Sequence, residues 1–122
     1  MKERIPTVLV AEDEPLLALN IEMALEDAGF NVVTASSGDA AIELLEAKPQ
    51  RFAAVLTDIR MPGKADGWDV GRRARELLPT VAVLYVSGDS ARMWWSKGVP
   101  GSTMLSKPFP LHSAVDFLEQ HI

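Results

Sequence analysis

Five short apolar runs, each followed by a stretch with helical spacing, constrain the fold of this 122-residue chain more than any other feature. The runs cover residues 7–11, 30–35, 52–56, 81–86 and 102–106; most are rich in Val, Leu or Ala, and all have the length of strands. After the first, Pro15 suits an opening helical turn, and Leu16, Leu17, Ile21, Ala24, Leu25 and Ala28 recur at steps of three and four until Gly29. Ser36, Ser37, Gly38 and Asp39 supply a turn and cap for a second helix over 40–47, ended near Pro49. A third helix is predicted from about Trp68 to Leu78, stopped by Pro79, with Arg72, Arg73 and Arg75 as its solvated face. A shorter helix over 90–97 and a last one over 111–120 complete the pattern. Strands alternating with helices at this spacing imply parallel strands joined by right-handed crossovers, hence an α/β doubly wound sheet with helices on both faces.

In open sheets of this kind ligands sit beyond the carboxyl ends of the strands, so the residues there carry the functional reading. The first run ends in Glu12 and Asp13, the third in Asp58, the fourth in Ser87 and the fifth in Lys107. Three carboxylates gathered without a cation repel one another and push at least one pKa upward. A divalent metal resolves the conflict, and a set of hard oxygens without His or Cys points to Mg²⁺. Lys107 adds a mobile positive charge and Ser87 a hydroxyl donor, both suited to a phosphoryl group. Glu12, Asp13 and Glu14 alone would be equally at home favouring a helix N-terminus; Asp58 and Lys107 at matching strand ends shift the balance toward a site.

Composition narrows the classes. With 48% hydrophobic and 24% charged residues the chain has the make-up of one soluble domain. A net charge of -5 and a pI near 4.9 argue against direct nucleic-acid binding. There is no cysteine, and the apolar stretch after Met1 to Arg4 is too short for a leader or a membrane span, so a cytoplasmic location is expected. A phosphatase of the haloacid dehalogenase type would want a second acid where Arg60 stands, and a flavin carrier would want a small-residue phosphate loop where Glu12, Asp13 and Glu14 stand. The Gly-x-x-x-x-Gly-Lys of a P-loop is absent.

The acidic pair Glu12 and Asp13, the run Asp58-Ile59-Arg60-Met61-Pro62, the pair Ser87-Gly88 and the run Lys107-Pro108-Phe109 occur in order at successive strand ends. In this the chain, from Val8 to its last helix, resembles the receiver domains of two-component response regulators, of the chemotaxis-regulator kind. The resemblance implies a five-stranded flavodoxin-like sheet of order 2-1-3-4-5. It implies that Asp58 accepts a phosphoryl group from a sensor histidine kinase or a histidine phosphotransfer protein. Asp13, Glu12 directly or through water, Asp58 and the backbone carbonyl of Arg60 would ligate Mg²⁺, and Lys107 and Ser87 would contact phosphoryl oxygens. Such a chain is a signalling phosphoacceptor, not an enzyme, although it assists its own phosphorylation and dephosphorylation. Output would run through the fourth helix, fifth strand and fifth helix to a downstream protein or dimer partner. The alternative is a degenerate receiver that binds partners without being phosphorylated.

Several positions depart from the family pattern. Met104 stands where an aromatic residue is usual, Glu12 where aspartate is commoner, and the loop over 63–66 is a couple of residues longer. Arg60 and Asp89 would flank the phosphoryl group and pair across the entrance. Met93, Trp94 and Trp95 are adjacent, so they cannot all face the core; His112 and His121 are expected at the surface. One receiver domain over residues 1–122 is expected, free-standing or cut from a longer regulator.

Overall fold

The computed structural model describes residues 5–122; the expectation about the leader lies, for residues 1–4, outside the described residues. Strands β1 (Thr7–Ala11), β2 (Asn31–Ala35), β3 (Ala54–Asp58), β4 (Ala82–Ser87) and β5 (Thr103–Ser106) form a parallel sheet of order 2-1-3-4-5. Helices α1 (Pro15–Asp27), α2 (Gly38–Ala47), α3 (Gly67–Leu77), α4 (Trp94–Lys97) and α5 (Leu111–His121) lie between and after them. The predicted fold class and strand order hold.

Period-two alternation along the central strands divides the core in two. Leu9, Ala11, Val55, Val83 and Tyr85 face Ala41 and Leu45 of α2 and Trp68, Val70 and Ala74 of α3. Val8, Val10, Ala54, Leu56, Leu84 and Val86 face Ile21 and Leu25 of α1 and Ala114, Phe117 and Leu118 of α5. Strands buried on both faces must be apolar throughout, which is why these runs are continuous and not alternating. Each fully buried Leu, Val or Phe contributes roughly 1.5–3 kcal/mol relative to exposure.

Local details depart from the sequence reading at four places. The third strand begins two residues later than its apolar run, because a 3₁₀ turn at Pro49–Arg51 feeds Phe52 into the core before pairing starts; Asp58 is the last strand residue. Leu16 is 65% exposed, since it sits about 140° round α1 from Ile21. The fourth helix shrinks to a 3₁₀ turn at Ala91–Met93 and a single turn of α4. Arg75 belongs to the interior edge: its Nε donates to the Val81 carbonyl at 2.8 Å and its guanidinium also reaches the Pro100 carbonyl. Arg72 is exposed, and Arg73 pairs with Glu46 and Glu76 as a wet-face residue does.

Candidate functional site

Strand register brings the predicted residues to one edge. Ala11 lies level with Thr57, Asp58 with Val86, and Ser87 with Ser106, so Glu12, Asp58, Ser87 and Lys107 emerge side by side where pairing stops. Carboxylate oxygens of Glu12, Asp13 and Asp58 lie within 4.8 Å of one another. Glu12 is buried, Asp58 nearly so, and Asp13 is open to solvent.

Lys107 crosses this cluster. Its Nζ donates to Asp58 Oδ2 at 3.0 Å and to Glu12 Oε1 at 3.1 Å. Asp58 Oδ1 accepts the Ile59 amide at 2.8 Å, and Glu12 Oε2 accepts the Glu14 amide at 3.1 Å. Burial pushes the Glu12 carboxyl up to about 7; the Glu14 amide opposes this, the Asp58 charge adds to it, and Lys107 offsets part. Burial works to lower the Lys107 pKa, but its hydrogen bonds to Asp58 and Glu12 outweigh that and raise it. The cluster thus holds one internal cation against a concentration of negative charge. Oxygen donors alone, with an exposed acid at the rim, fit the coordination chemistry of Mg²⁺.

Ser87 Oγ accepts the amides of Ser90 at 2.8 Å and Asp89 at 3.2 Å, which curls the chain back over the end of β4. Arg60 and Asp89 pair, Nε to Oδ2 2.9 Å, with side chains 79% and 53% exposed. The Ser90 hydroxyl holds the Asp89 carboxyl below the usual range; desolvation opposes this, and Arg60 and Ser87 add to it. Arg60, the residue expected to offer a backbone carbonyl, is exposed on the loop after β3, two residues past Asp58.

On β5, Met104 is half-buried and lies in register with Tyr85 of β4, within the same core. Tyr85 was not singled out by the sequence. Its ring packs 4.8 Å from Trp68, and its hydroxyl accepts the Val99 amide at 3.2 Å, tying the α4–β5 loop to the sheet. Burial raises the Tyr85 pKa, opposed by the Val99 bond. A signal was present, because Tyr85 shares the strand face of Ser87 two residues on. Trp94 Nε1 donates to Ser102 Oγ at 2.9 Å, while Trp95 is 84% exposed. His112 and His121 are both exposed.

No helix among the described residues is long and apolar enough to cross a membrane. Residues 8–118 match the family model of the response regulator receiver domain. The chain is 35% identical over 115 residues to the response regulator receiver protein CpdR of Brucella abortus, covering 93% of each chain. It is also 35% identical over 111 residues to the probable transcriptional regulatory protein TcrX of Mycobacterium tuberculosis, but covers only 46% of that longer protein. A crystal structure of a response regulator receiver protein from Sinorhizobium medicae superposes with a TM-score of 0.92 at 43% identity, covering 96% of this chain and 94% of that one. With its sheet order, its acidic cluster and these likenesses, the chain belongs to the family of response regulator receiver domains of two-component systems.

Proposed function

We propose that Asp58 is the phosphoacceptor of a single receiver domain spanning residues 1–122, acting in the cytoplasm on signals from a sensor histidine kinase or a histidine phosphotransfer protein. The observation that carries this reading is Lys107 bridging Asp58 and Glu12 beside Asp13 at the sheet edge. A buried, hydrogen-bonded carboxylate poised next to a movable ammonium can exchange that partner for a phosphoryl oxygen.

In the reaction an Asp58 carboxylate oxygen forms the new bond to phosphorus as the bond from phosphorus to the donor's imidazole nitrogen breaks, its electron pair leaving with the ring. Glu12, Asp13, Asp58 and the Arg60 carbonyl would hold Mg²⁺, which when bound would supply positive charge near the phosphoryl oxygens. The transition state is loose and rich in charge, so positioning and cations matter more than covalent assistance. Lys107 follows the developing charge from carboxylate to phosphoryl oxygen. Ser87, whose hydroxyl hydrogen now meets only the distant Asp89 carboxylate at 3.5 Å, is free to donate to a second oxygen. The Ile59 amide keeps Asp58 oriented throughout.

The phosphoryl group adds charge and strong acceptors, so any state with Ser87 and Lys107 drawn inward gains differential binding and becomes more populated. The elements carrying those residues continue into α4, β5 and α5, which present the altered surface to a downstream protein or a second copy. Incubation with acetyl phosphate and Mg²⁺, followed by intact mass and Trp fluorescence, tests the reading. A phosphoryl increment that disappears in Asp58→Asn is expected. Its absence in the wild-type protein would overturn the assignment and favour a degenerate receiver that only binds partners.

A further inference from the structure

The loop from β3 to α3 is held at three places, and two of them lie at its own ends. The Ile59 carbonyl accepts the Gly67 amide at 2.8 Å. Gly67 also approaches so closely that an added Cβ would lie 1.9 Å from the Asp58 carbonyl oxygen. The third fastening comes from a different element. Asp39, in the first turn of α2, accepts the Lys64 amide on Oδ2 at 3.0 Å and the Ala65 amide on Oδ1 at 3.1 Å. Gly63 makes room for this, with φ +101° and a position at which a Cβ would lie 2.3 Å from Asp39 Oδ2.

An acid in the first turn of a helix is ordinarily explained by the helix itself, whose free amides and dipole favour negative charge. Here both oxygens turn away from α2 and take amides 25 and 26 residues further along the chain. Charge-assisted bonds from two successive backbone amides fix a peptide plane in a way one side-chain contact does not. The segment so fixed is continuous with Arg60, whose guanidinium pairs with Asp89. A backbone carbonyl cannot be aimed by its own side chain, so its direction depends on how the loop is fastened.

We propose that Asp39 is a positioning residue for the metal site: by clamping the Lys64 and Ala65 amides it sets the path of the loop that carries Arg60 into the acidic cluster. The inference rests on the receiver reading above. With the clamp gone, loop conformations multiply, and the fraction able to offer the carbonyl to a cation falls.

The test is calorimetric titration of the whole chain with Mg²⁺ alone, beside acetyl phosphate labelling rates across Mg²⁺ concentrations. Asp39→Ala removes both acceptors, Asp39→Asn keeps one carbonyl oxygen, and Gly63→Ala drives a methyl group into the carboxylate. The Mg²⁺ Kd is expected to rise about tenfold in Asp39→Ala, the scale typical of partners that orient metal ligands. A smaller rise in Asp39→Asn and a rise in Gly63→Ala are expected, with labelling rates at saturating Mg²⁺ near wild type in all three. If Asp39→Ala does not fold, the other two variants carry the test. An unchanged Kd in the folded variants overturns the positioning role, even if their thermal stability falls. A wild-type protein that takes up no Mg²⁺ overturns the receiver reading itself, and this inference with it.

Discussion

Replacing Lys107 by methionine removes the cation that, among the described residues, is bonded to both Glu12 and Asp58, and the structure sets how the loss depends on pH. Glu12 already titrates near 7, above its ordinary value, because it is buried beside Asp58. A carboxyl raised on folding binds its proton more tightly in the native state, so the metal-free wild-type protein loses stability through this group as pH rises from about 4.5 to about 7, and the effect levels off above. Lys107 sits 3.1 Å from Glu12 Oε1. At an effective dielectric constant near 20 the unscreened attraction is on the order of 5 kcal/mol, of which solvent at the part-exposed ammonium leaves a fraction, so losing Lys107 raises the Glu12 pKa further. Without Lys107 the Glu12 carboxyl therefore holds its proton to a still higher pH. The stability of the variant therefore keeps falling further above pH 7, at up to about 1.4 kcal/mol per unit, where the wild-type contribution is levelling off. Urea unfolding in EDTA at pH 6, 7 and 8 measures this, with Glu12→Gln as the control that abolishes the slope. Added Mg²⁺ should raise the midpoint of Lys107→Met more than that of wild type, since the ion no longer competes with an ammonium for the same oxygens. Parallel curves for variant and wild type from pH 6 to 8, with equal responses to Mg²⁺, would refute the charge-compensation argument.

The exposed Arg60–Asp89 pair is worth little to stability; its proposed role is to slow the water that attacks a phosphorylated Asp58. Arg60→Ala and Asp89→Ala are each expected to speed acyl-phosphate loss a few-fold, and added salt to do the same to wild type; equal rates in all three proteins would end the gate idea. Tyr85→Phe leaves the Val99 amide without its acceptor and should cost about 1 kcal/mol, read as a lower urea midpoint together with faster exchange of the Val99 amide hydrogen. Leu45→Ala, in the fully buried seam between α2 and the sheet, should cost about 2–5 kcal/mol while leaving Mg²⁺ affinity unchanged.

The strands and the strand-end residues were legible because both are local signals. A buried parallel strand has to be apolar throughout, and a charged or hydroxyl residue stands out wherever such a run ends, as Glu12, Asp58, Ser87 and Lys107 do. What stayed hidden depends on pairs of residues far apart in sequence. Asp39 looked like a helix cap because its partners, the Lys64 and Ala65 amides, leave no mark on side-chain pattern. Arg75 looked solvated because one charged residue among three on a helix carries no sign that two carbonyls wait for it. The fourth helix was overextended for a similar reason. Adjacent tryptophans satisfy no helical stripe, and Trp94 is instead committed to Ser102 across the following loop.

These long-range ties bear on how a change at Asp58 would reach the surface. Met104, an unbranched thioether, has no ring to turn between two wells and adapts to whatever packs beside it. The rigid aromatic at this edge is Tyr85, one strand over and in register, and its hydroxyl already grips the Val99 amide. Val99 in turn accepts from Ser102, which holds Trp94, and Arg75 fastens Pro100 beside it. Ser87 sits two residues along β4 from Tyr85, so a pull on its hydroxyl acts on the same strand that anchors this loop. These contacts make β4 and the loop after α4 one connected unit, with Met104 in register beside Tyr85.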